Sequence, residues 1–329
     1  MVKKILQNVA LICATACTAV IGNIGIAAAQ VDTGTPSDPQ TQQSDSMNVE
    51  TQLPDFNLGA ETATDMNEWT KSLNLGDVCP ANVTIYIPPS GLSTPVSNPL
   101  VPHPGGIHQQ VTMTQHPKNV VLTLPYNALW TTGIFTYNES RDSGIRAANT
   151  ALSAIHSQCP GARIHLYGYS EGADVGAHIV ESISQDRGPI PKNNFGSAAF
   201  QGNPVRSNVG THRAGSAGDG RGLFSPANYG DQAGKVMEIC NERDVVCNTS
   251  SVAPNFYYLY EDMISNSAPL RGKISLREAV NRANPEIVAR SGIEIPSAID
   301  GWIRHATEYY TTAPYARDAG ENFIRAHYA

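Results

Sequence analysis

The sequence predicts an α/β fold in which a central, mostly parallel sheet is covered by helices on both faces. Short apolar and β-branched runs predict strands at residues 83–87, 120–124, 163–167, 196–200 and 235–239. Residues 143–157 have the spacing of an amphipathic helix, and a second helical segment follows the third strand. Strands that alternate with helices are typical of a parallel sheet that is buried on both faces. Functional loops of such sheets lie at the carboxyl ends of the strands.

The N-terminus has the pattern of an export signal. A basic start, an apolar stretch over 9–26 and three alanines at 27–29 predict a signal peptide over residues 1–29. An uncleaved membrane anchor and a lipoprotein signal at Cys17 are the alternatives. No later segment has the roughly 18 uninterrupted apolar residues that a membrane span requires. We therefore expect a secreted or cell-envelope protein.

Composition separates a linker from the folded domain. Residues 30–65 are rich in Thr, Ser, Gln, Asp and Pro, which predicts a disordered linker, and the folded domain is expected over 66–329. Without the two lysines of the signal peptide, 20 basic residues face 29 acidic ones, a net charge of −9. An acidic domain without a basic run argues against nucleic-acid binding. We expect a monomer.

Cysteine usage fits an oxidising compartment. Removal of the signal peptide leaves Cys79, Cys159, Cys240 and Cys247. An even number predicts two disulfides, with three possible connectivities. The short spacing of Cys240 and Cys247 favours a local bridge, which would leave Cys79 to pair with Cys159. The absence of a Cys-x-x-Cys pair in the sequence argues against zinc, so no metal is expected.

Residues 254–300 differ from the alternating pattern around them. They contain an aromatic cluster, and Ser275 with Glu278 forms the pattern of a helix capping box. We expect a mainly helical insertion that lies over the sheet. Its aromatic side chains fit either a core or a substrate groove.

The segment Gly-Tyr-Ser-Glu-Gly at 168–172 carries the strongest chemical signal. It lies between a predicted strand and a predicted helix, so Ser170 would occupy the apex of a tight turn. Glycines let the backbone turn sharply there, and the positive end of the helix dipole points at the serine hydroxyl. The pattern predicts a nucleophile, although alone it is weak because glycine and serine are common.

A serine nucleophile needs a histidine base, and chain order limits the choice. In α/β-hydrolases the order is serine, acid, histidine. Of the nine histidines, His305 and His327 follow the Cys240–Cys247 loop. His327 lies at the frayed chain end. We therefore predict His305, at the start of an apparent helix over 302–310, as the base.

The acid that orients the base is predicted within the disulfide loop. Asp244 lies between Cys240 and Cys247, where a short bridge would hold its carboxylate rigidly. Glu242 shares that loop and is the second candidate. Asp262 and Asp300 have no such constraint.

Taken together, these motifs resemble the cutinase family of serine esterases, and in particular its actinobacterial cutinase-like members. The matching segments are Gly168–Ala173, Cys159–Pro160, Gly202–Pro204, Ile239–Asn241, Asp244–Cys247, Leu124–Ala128 and His305 with Tyr309. The resemblance covers about residues 78–310. It implies an α/β-hydrolase (cutinase-like) three-layer fold, the disulfides Cys79–Cys159 and Cys240–Cys247, and ester hydrolysis by Ser170, Asp244 and His305 without a cofactor.

The sequence departs from the family pattern in the predicted oxyanion hole. The residue after the nucleophile is usually glutamine in the family, whereas here it is Glu171. Its backbone N–H can still donate to an oxyanion, but a charged side chain there would repel the developing negative charge unless it turns away or is paired. We assign the second donor to Gly91.

The leading functional hypothesis is a secreted esterase of lipid esters, including those of a mycolate envelope. The long spacing between Asp244 and His305 places the helical insertion between them, where it would cap the site and favour a lipid over a bulky polymer. An acyltransferase or thioesterase with the same triad is one alternative. A non-catalytic lipid- or wall-binding protein is another, with Glu171 as a sign of lost activity.

Overall fold

The computed structural model describes residues 75, 79–91, 119–130, 135–257, 264–266, 268, 285–311 and 314–328. The predicted signal peptide and linker, at 1–29 and 30–65, lie outside the described residues. So do Asp262 and the capping box predicted at Ser275 and Glu278. All of the described residues belong to one contact unit, Leu58–Ala329.

Among the described residues, six strands form one sheet. They are β1 (Asn82–Ile87), β2 (Asn119–Thr123), β3 (Arg163–Tyr169), β4 (Phe195–Gln201), β5 (His212–Ala214) and β6 (Val236–Ile239). Their order across the sheet is β2-β1-β3-β4-β6-β5, and every pair is parallel. The α/β fold that the sequence predicts is therefore confirmed.

Helices connect and cover these strands. They are α1 (Tyr137–Gln158), α2 (Glu171–Ser184), α3 (Thr249–Val252), α4 (Pro285–Thr311) and α5 (Pro314–Ala326). A capping box at Thr136 and Glu139 fixes the start of α1: the Thr136 hydroxyl accepts from the Glu139 N–H, and the Glu139 carboxylate accepts from the Thr136 N–H. These bonds satisfy two donors that a helix start leaves unpaired.

The sheet is buried on both faces, which gives three layers. On one face, Val83, Ile85 and Ile87 of β1 pack in a core cluster with apolar residues of α1 and α2. On the other face, Tyr86 and Tyr167 pack in a second cluster with residues of α4 and α5. Side chains alternate between faces along a strand, so one strand contributes to both clusters.

The strand order reverses between β1 and β3, which makes a crevice at their carboxyl ends. β2 lies on one side of β1, and β3 with the later strands lies on the other. Ligand sites of open parallel sheets form at such a switch point. The turn Ser90–Gly91 follows β1, and Ser170 follows β3, so both segments lie at this crevice.

Both predicted disulfides form. Cys79 is bonded to Cys159 and Cys240 to Cys247. The first joins the segment before β1 to the end of α1. The second closes the loop that carries Asp244. Two disulfides fit an extracellular protein, and within the part of the chain that the structure describes, no helix has the length and apolarity of a membrane span.

The structure contains one strand that the sequence analysis does not predict, and it corrects one prediction about a helix. The sequence signals no strand at 212–214, because β5 is short, largely exposed and held at the edge by its pairing with β6. The helix that carries His305 begins at Pro285, so the prediction that His305 lies near a helix start is wrong. Pro296 obscured the longer helix, since an interior proline lacks the N–H that the helix would use.

Removing the cap of α1 provides a test of the helix start. Thr136→Ala is expected to lower the free energy of unfolding by about 1 kcal/mol, because the Glu139 N–H loses its acceptor. Thr136→Ser keeps the hydroxyl and is the matched control. Urea unfolding of both variants measures the difference, and equal losses would show that the hydroxyl does not stabilise the helix.

Candidate active site

Ser170 lies at a sharp turn between β3 and α2. Its φ of 56° is in the left-handed region, which non-glycine residues rarely adopt. The turn is tight because α2 begins against the end of β1: a Cβ on Gly172 would lie 2.1 Å from the Ile87 carbonyl oxygen. Only glycine fits there. The local sequence therefore forces the Ser170 hydroxyl out of the turn and toward the crevice.

The structure brings Ser170, His305 and Asp244 together. The His305 Nε2 lies 2.9 Å from the Ser170 Oγ. On the other side of the ring, Nδ1 lies 3.1 and 3.0 Å from the two carboxyl oxygens of Asp244. A proton on Nδ1 is thus directed to Asp244, which leaves Nε2 as an acceptor for the Ser170 hydroxyl.

Asp244 is buried, and several donors satisfy its carboxyl group. The Val246 N–H donates to Oδ1 at 2.8 Å, and the Tyr309 hydroxyl donates to Oδ2 at 2.6 Å. The Tyr309 hydroxyl also accepts from the Asn241 N–H at 3.3 Å. Burial and the neighbouring Asp244 raise the pKa of Tyr309 well above its usual value, so it remains a donor.

His305 is held through its backbone and its ring. The Tyr169 hydroxyl donates to the His305 carbonyl, which ties α4 to the residue before Ser170. The rings of Tyr169 and Trp302 lie 5.2 and 5.8 Å from the His305 ring, centre to centre. One turn earlier, Asp300 pairs with Arg243 of the disulfide loop at 2.6 Å. These contacts position α4 over the loop that carries Asp244.

The competing candidates lie elsewhere. Glu242 is exposed, and its N–H donates to the Ser216 hydroxyl. Asp300 pairs with arginines at the surface. His327 directly follows α5, and its Nδ1 contacts the Phe323 carbonyl of that helix.

Gly202 makes room for the histidine ring. Its φ of 58° is left-handed, and a Cβ there would lie 2.5 Å from the His305 Cε1 and 3.2 Å from the Asp244 Oδ2. Gly202 is the first residue after β4, so the end of that strand also shapes the site. A side chain at this position would displace the imidazole.

The side chain of Glu171 turns away from the crevice into the protein. Its Oε1 lies 2.5 Å from the Ser140 Oγ of α1, and the carboxyl is also hydrogen-bonded to the Ser90 side chain. Glu171 is 1% exposed. Burial raises the pKa of Glu171 to about 8, against the opposing effect of the two serine hydrogen bonds.

Gly91 does not offer the donor that the sequence analysis assigned to it. Its N–H donates to the Ala128 carbonyl at 2.5 Å and is therefore already used. The N–H of Glu171 differs, because Glu171 is the first residue of α2 and the N–H groups of a first turn have no partner within the helix.

Sequence reasoning assigned no role to Ser140, Ser90 or Trp130. Ser140 lies in α1, and nothing in its local sequence signals a contact with Glu171. Trp130 stacks near Trp302, with ring centres 6.0 Å apart, and so extends the aromatic surface beside His305. The family pattern included Tyr309, but its bond to Asp244 emerges only from the fold.

Fold and site together define an α/β-hydrolase with a serine in the tight turn after β3. The chain belongs to the cutinase family of carboxylic-ester hydrolases, whose family model matches residues 102–269. The match contains Ser170 and Asp244 and ends before His305. The α/β-hydrolase architecture and the esterase class that the motifs predicted are thereby confirmed.

The relatives described below share at most 24% of their residues with this chain. The chain is 24% identical over 205 residues to the carboxylesterase Culp6 homolog of Corynebacterium glutamicum. The aligned region covers 52% of this chain and 66% of the relative, which is just under two thirds of the relative's length. Among solved structures, lysin B from mycobacteriophage D29 matches with a TM-score of 0.51 and 15% identity over 74% of this chain and 99% of that one. An acetylxylan esterase matches with a TM-score of 0.47 and 18% identity, over 77% and 100% of the two chains. The likeness to lysin B supports the fold alone.

Gly202→Ala, compared with a matched control, distinguishes the effect of displacing His305 from the effect of backbone strain. Gly202→Ala should lower kcat/KM roughly 100-fold, because a displacement of His305 by about 1 Å disrupts the proton transfer. Gly210→Ala is the matched control: its φ is also left-handed, at 73°, but the new Cβ would meet only Ala233. Ester hydrolysis and thermal unfolding are measured for both. Equal losses of activity would contradict the role of Gly202.

Proposed function

We propose that this protein is a secreted carboxylic-ester hydrolase that acts on lipid esters through Ser170, His305 and Asp244. One observation carries the proposal: the hydrogen-bonded chain from the Ser170 Oγ through the His305 ring to the Asp244 carboxyl. Membership of the cutinase family and the name of the corynebacterial carboxylesterase support the same activity.

The geometry supports a two-step acyl transfer. As the Ser170 Oγ attacks the ester carbonyl, the His305 Nε2 takes the hydroxyl proton and then delivers it to the leaving alcohol. Water adds to the acyl-enzyme in the second step, with His305 again as base, which releases the acid and restores the Ser170 hydroxyl. Asp244 holds the ring orientation and stabilises the imidazolium. These steps need no cofactor.

The first turn of α2 would stabilise the tetrahedral intermediate. The Glu171 N–H lies beside the nucleophile, and the positive end of the helix dipole favours an oxyanion there. The turn after β1 contacts the start of α2, since the Ile87 and Pro88 carbonyls crowd Gly172. A donation from Gly91 would require that its bond to Ala128 open when substrate binds.

An apolar acyl chain fits the aromatic surface beside His305. Trp302 contacts the His305 ring, and Trp130 joins Trp302 to Tyr137, 5.5 Å away between ring centres. Both tryptophans are partly exposed. Such a surface gains free energy from each buried methylene, which favours a lipid ester. The predicted signal peptide and the two disulfides support export to the cell envelope, and we propose esters of envelope lipids such as mycolates as the substrates.

Loss of the nucleophile tests the proposed chemistry. Ser170→Ala is expected to lower kcat for p-nitrophenyl esters by roughly 10⁴-fold or more, because the acyl-enzyme can no longer form. Ser182→Ala, in the helix that follows Ser170, is the control and should retain activity. Wild type should also be labelled covalently by a fluorophosphonate. Lipid binding without labelling would favour a non-catalytic protein, whereas acyl transfer to added trehalose would favour an acyltransferase.

The aromatic surface predicts a preference for longer acyl chains. Trp130→Ala should lower the ratio of kcat/KM for an octanoyl ester to that for an acetyl ester by roughly fivefold, since each buried methylene is worth about 0.8 kcal/mol. Tyr315→Ala removes an exposed aromatic residue of α5 and is the control. An unchanged ratio in Trp130→Ala would place the acyl chain elsewhere.

A further inference from the structure

The buried Glu171 carboxyl is hydrogen-bonded to serine hydroxyls from two other segments of the chain. Ser140 is on α1, Ser90 follows β1, and Glu171 itself starts α2, one residue after the nucleophile. The buried carboxyl thus connects the turn after β1, the nucleophile turn and the helix behind them. Its protonation state decides which of these contacts are attractive.

The contacts of the Ser140 hydroxyl show where the protons of this network must lie. The Ser140 Oγ accepts from the Leu129 N–H at 3.2 Å and lies 2.7 Å from the Asn127 carbonyl and 2.5 Å from the Glu171 Oε1. A hydroxyl has one proton, so it cannot donate to both oxygens. With an ionised Glu171, one of these short contacts would join two acceptors without a proton. A proton on Glu171 satisfies both: Glu171 donates to Ser140, and Ser140 donates to Asn127.

The charges that face Glu171 also favour the neutral form. Asp174 lies one turn along α2, where its carboxylate accepts from the Tyr137 hydroxyl at 2.6 Å and pairs with His178 at 2.8 Å. Arg141 of α1 attracts both carboxyls, but its hydrogen bonds go to Asp142. On the same side, burial, with contributions from Glu171 and Asp174, raises the pKa of the Tyr126 and Tyr137 hydroxyls, so both remain neutral.

We propose that Glu171 is a positioning residue that works as a neutral carboxylic acid, and that loss of its proton in alkaline solution lowers the activity of the site. The inference rests on the proposed ester hydrolysis, because the effect acts on the oxyanion. Neutral Glu171 presents a donor and an acceptor, as a glutamine amide does. Hydroxide removes the proton as water and leaves a buried carboxylate on the residue that follows Ser170.

The direction of the pH effect follows from this charge. Burial raises the pKa of Glu171 to about 8, so the carboxyl is neutral below that pH and ionised above it. An ionised carboxylate in a buried site repels the oxyanion and removes the donor to Ser140. Wild-type kcat/KM is therefore expected to fall roughly tenfold between pH 7 and pH 9.5.

Glu171→Gln tests the proposal because glutamine imitates the neutral acid and cannot ionise. The ratio of kcat/KM at pH 9.5 to that at pH 7 should rise roughly tenfold relative to wild type. Glu171→Ala should also lose the alkaline decline. Its kcat should be lower than that of Glu171→Gln at every pH, because alanine makes none of the hydroxyl contacts. An alkaline decline in Glu171→Gln equal to that of wild type would overturn the proposal.

Glu238→Gln is the matched control. Glu238 is also buried, with a pKa raised by burial to about 7, but its partners are Asn203, Tyr229 and the Ser207 N–H. This variant should keep the wild-type alkaline decline. If Glu238→Gln lost the alkaline decline in kcat/KM, the decline would be due to Glu238, and the proposed role of Glu171 would be wrong.

Two measurements do not depend on activity, so they separate this proposal from the proposed function. The folded pKa of Glu171 lies above the ordinary 4.5, so the native state loses stability relative to the unfolded chain as pH rises from about 4.5 to 8. The Tm of Glu171→Gln minus the Tm of wild type should therefore increase between about pH 4.5 and pH 8 and remain constant at higher pH. In the Glu238→Gln protein, infrared spectroscopy should detect a protonated carboxyl at pH 6.5 that disappears through pH 8. A constant Tm difference, or no such carboxyl, would overturn the proposal even in an inactive protein.

Discussion

The site depends on the buried carboxyl group of Asp244. A polar group with no access to water is tolerated only when donors satisfy it, and here the donors come from distant parts of the chain. Val246 donates from the same disulfide loop, whereas Tyr309 and His305 donate from α4, more than 60 positions later. Satisfying this one group therefore docks α4 on the sheet and sets the angle of the imidazole.

Glu171 and Asp244 both have buried carboxyl groups, but their hydrogen-bond partners differ. Asp244 meets an N–H, a phenol and an imidazole, which favour a hydrogen-bond acceptor. Glu171 meets serine hydroxyls, one of which faces a second acceptor. Under our proposals, the first environment orients His305 as a base, and the second retains a proton on the residue that follows Ser170.

Patterns in short segments predicted much of this architecture. The periodicity of the strands, the elbow around Ser170 and the spacing of Cys240 and Cys247 are local, and each predicts its structure without knowledge of the rest. The edge strand β5 and the start of α4 were missed because their signals are weak: three exposed residues in one case, and an interior Pro296 in the other. The engaged N–H of Gly91 was missed because its partner, Ala128, follows a different strand.

The sequence by itself determined the fold class, the cysteine pairing implied by the family pattern and the identities of Ser170, Asp244 and His305 as candidates. Local propensity and chain order suffice for these. Only the tertiary structure decided that Asp244 rather than the exposed Glu242 faces His305, that Gly202 must leave room for the imidazole, and that Glu171 lies buried against Ser140. The physical reason is that burial and hydrogen-bond partners are shared between segments far apart in the chain, and no spacing in the sequence encodes them.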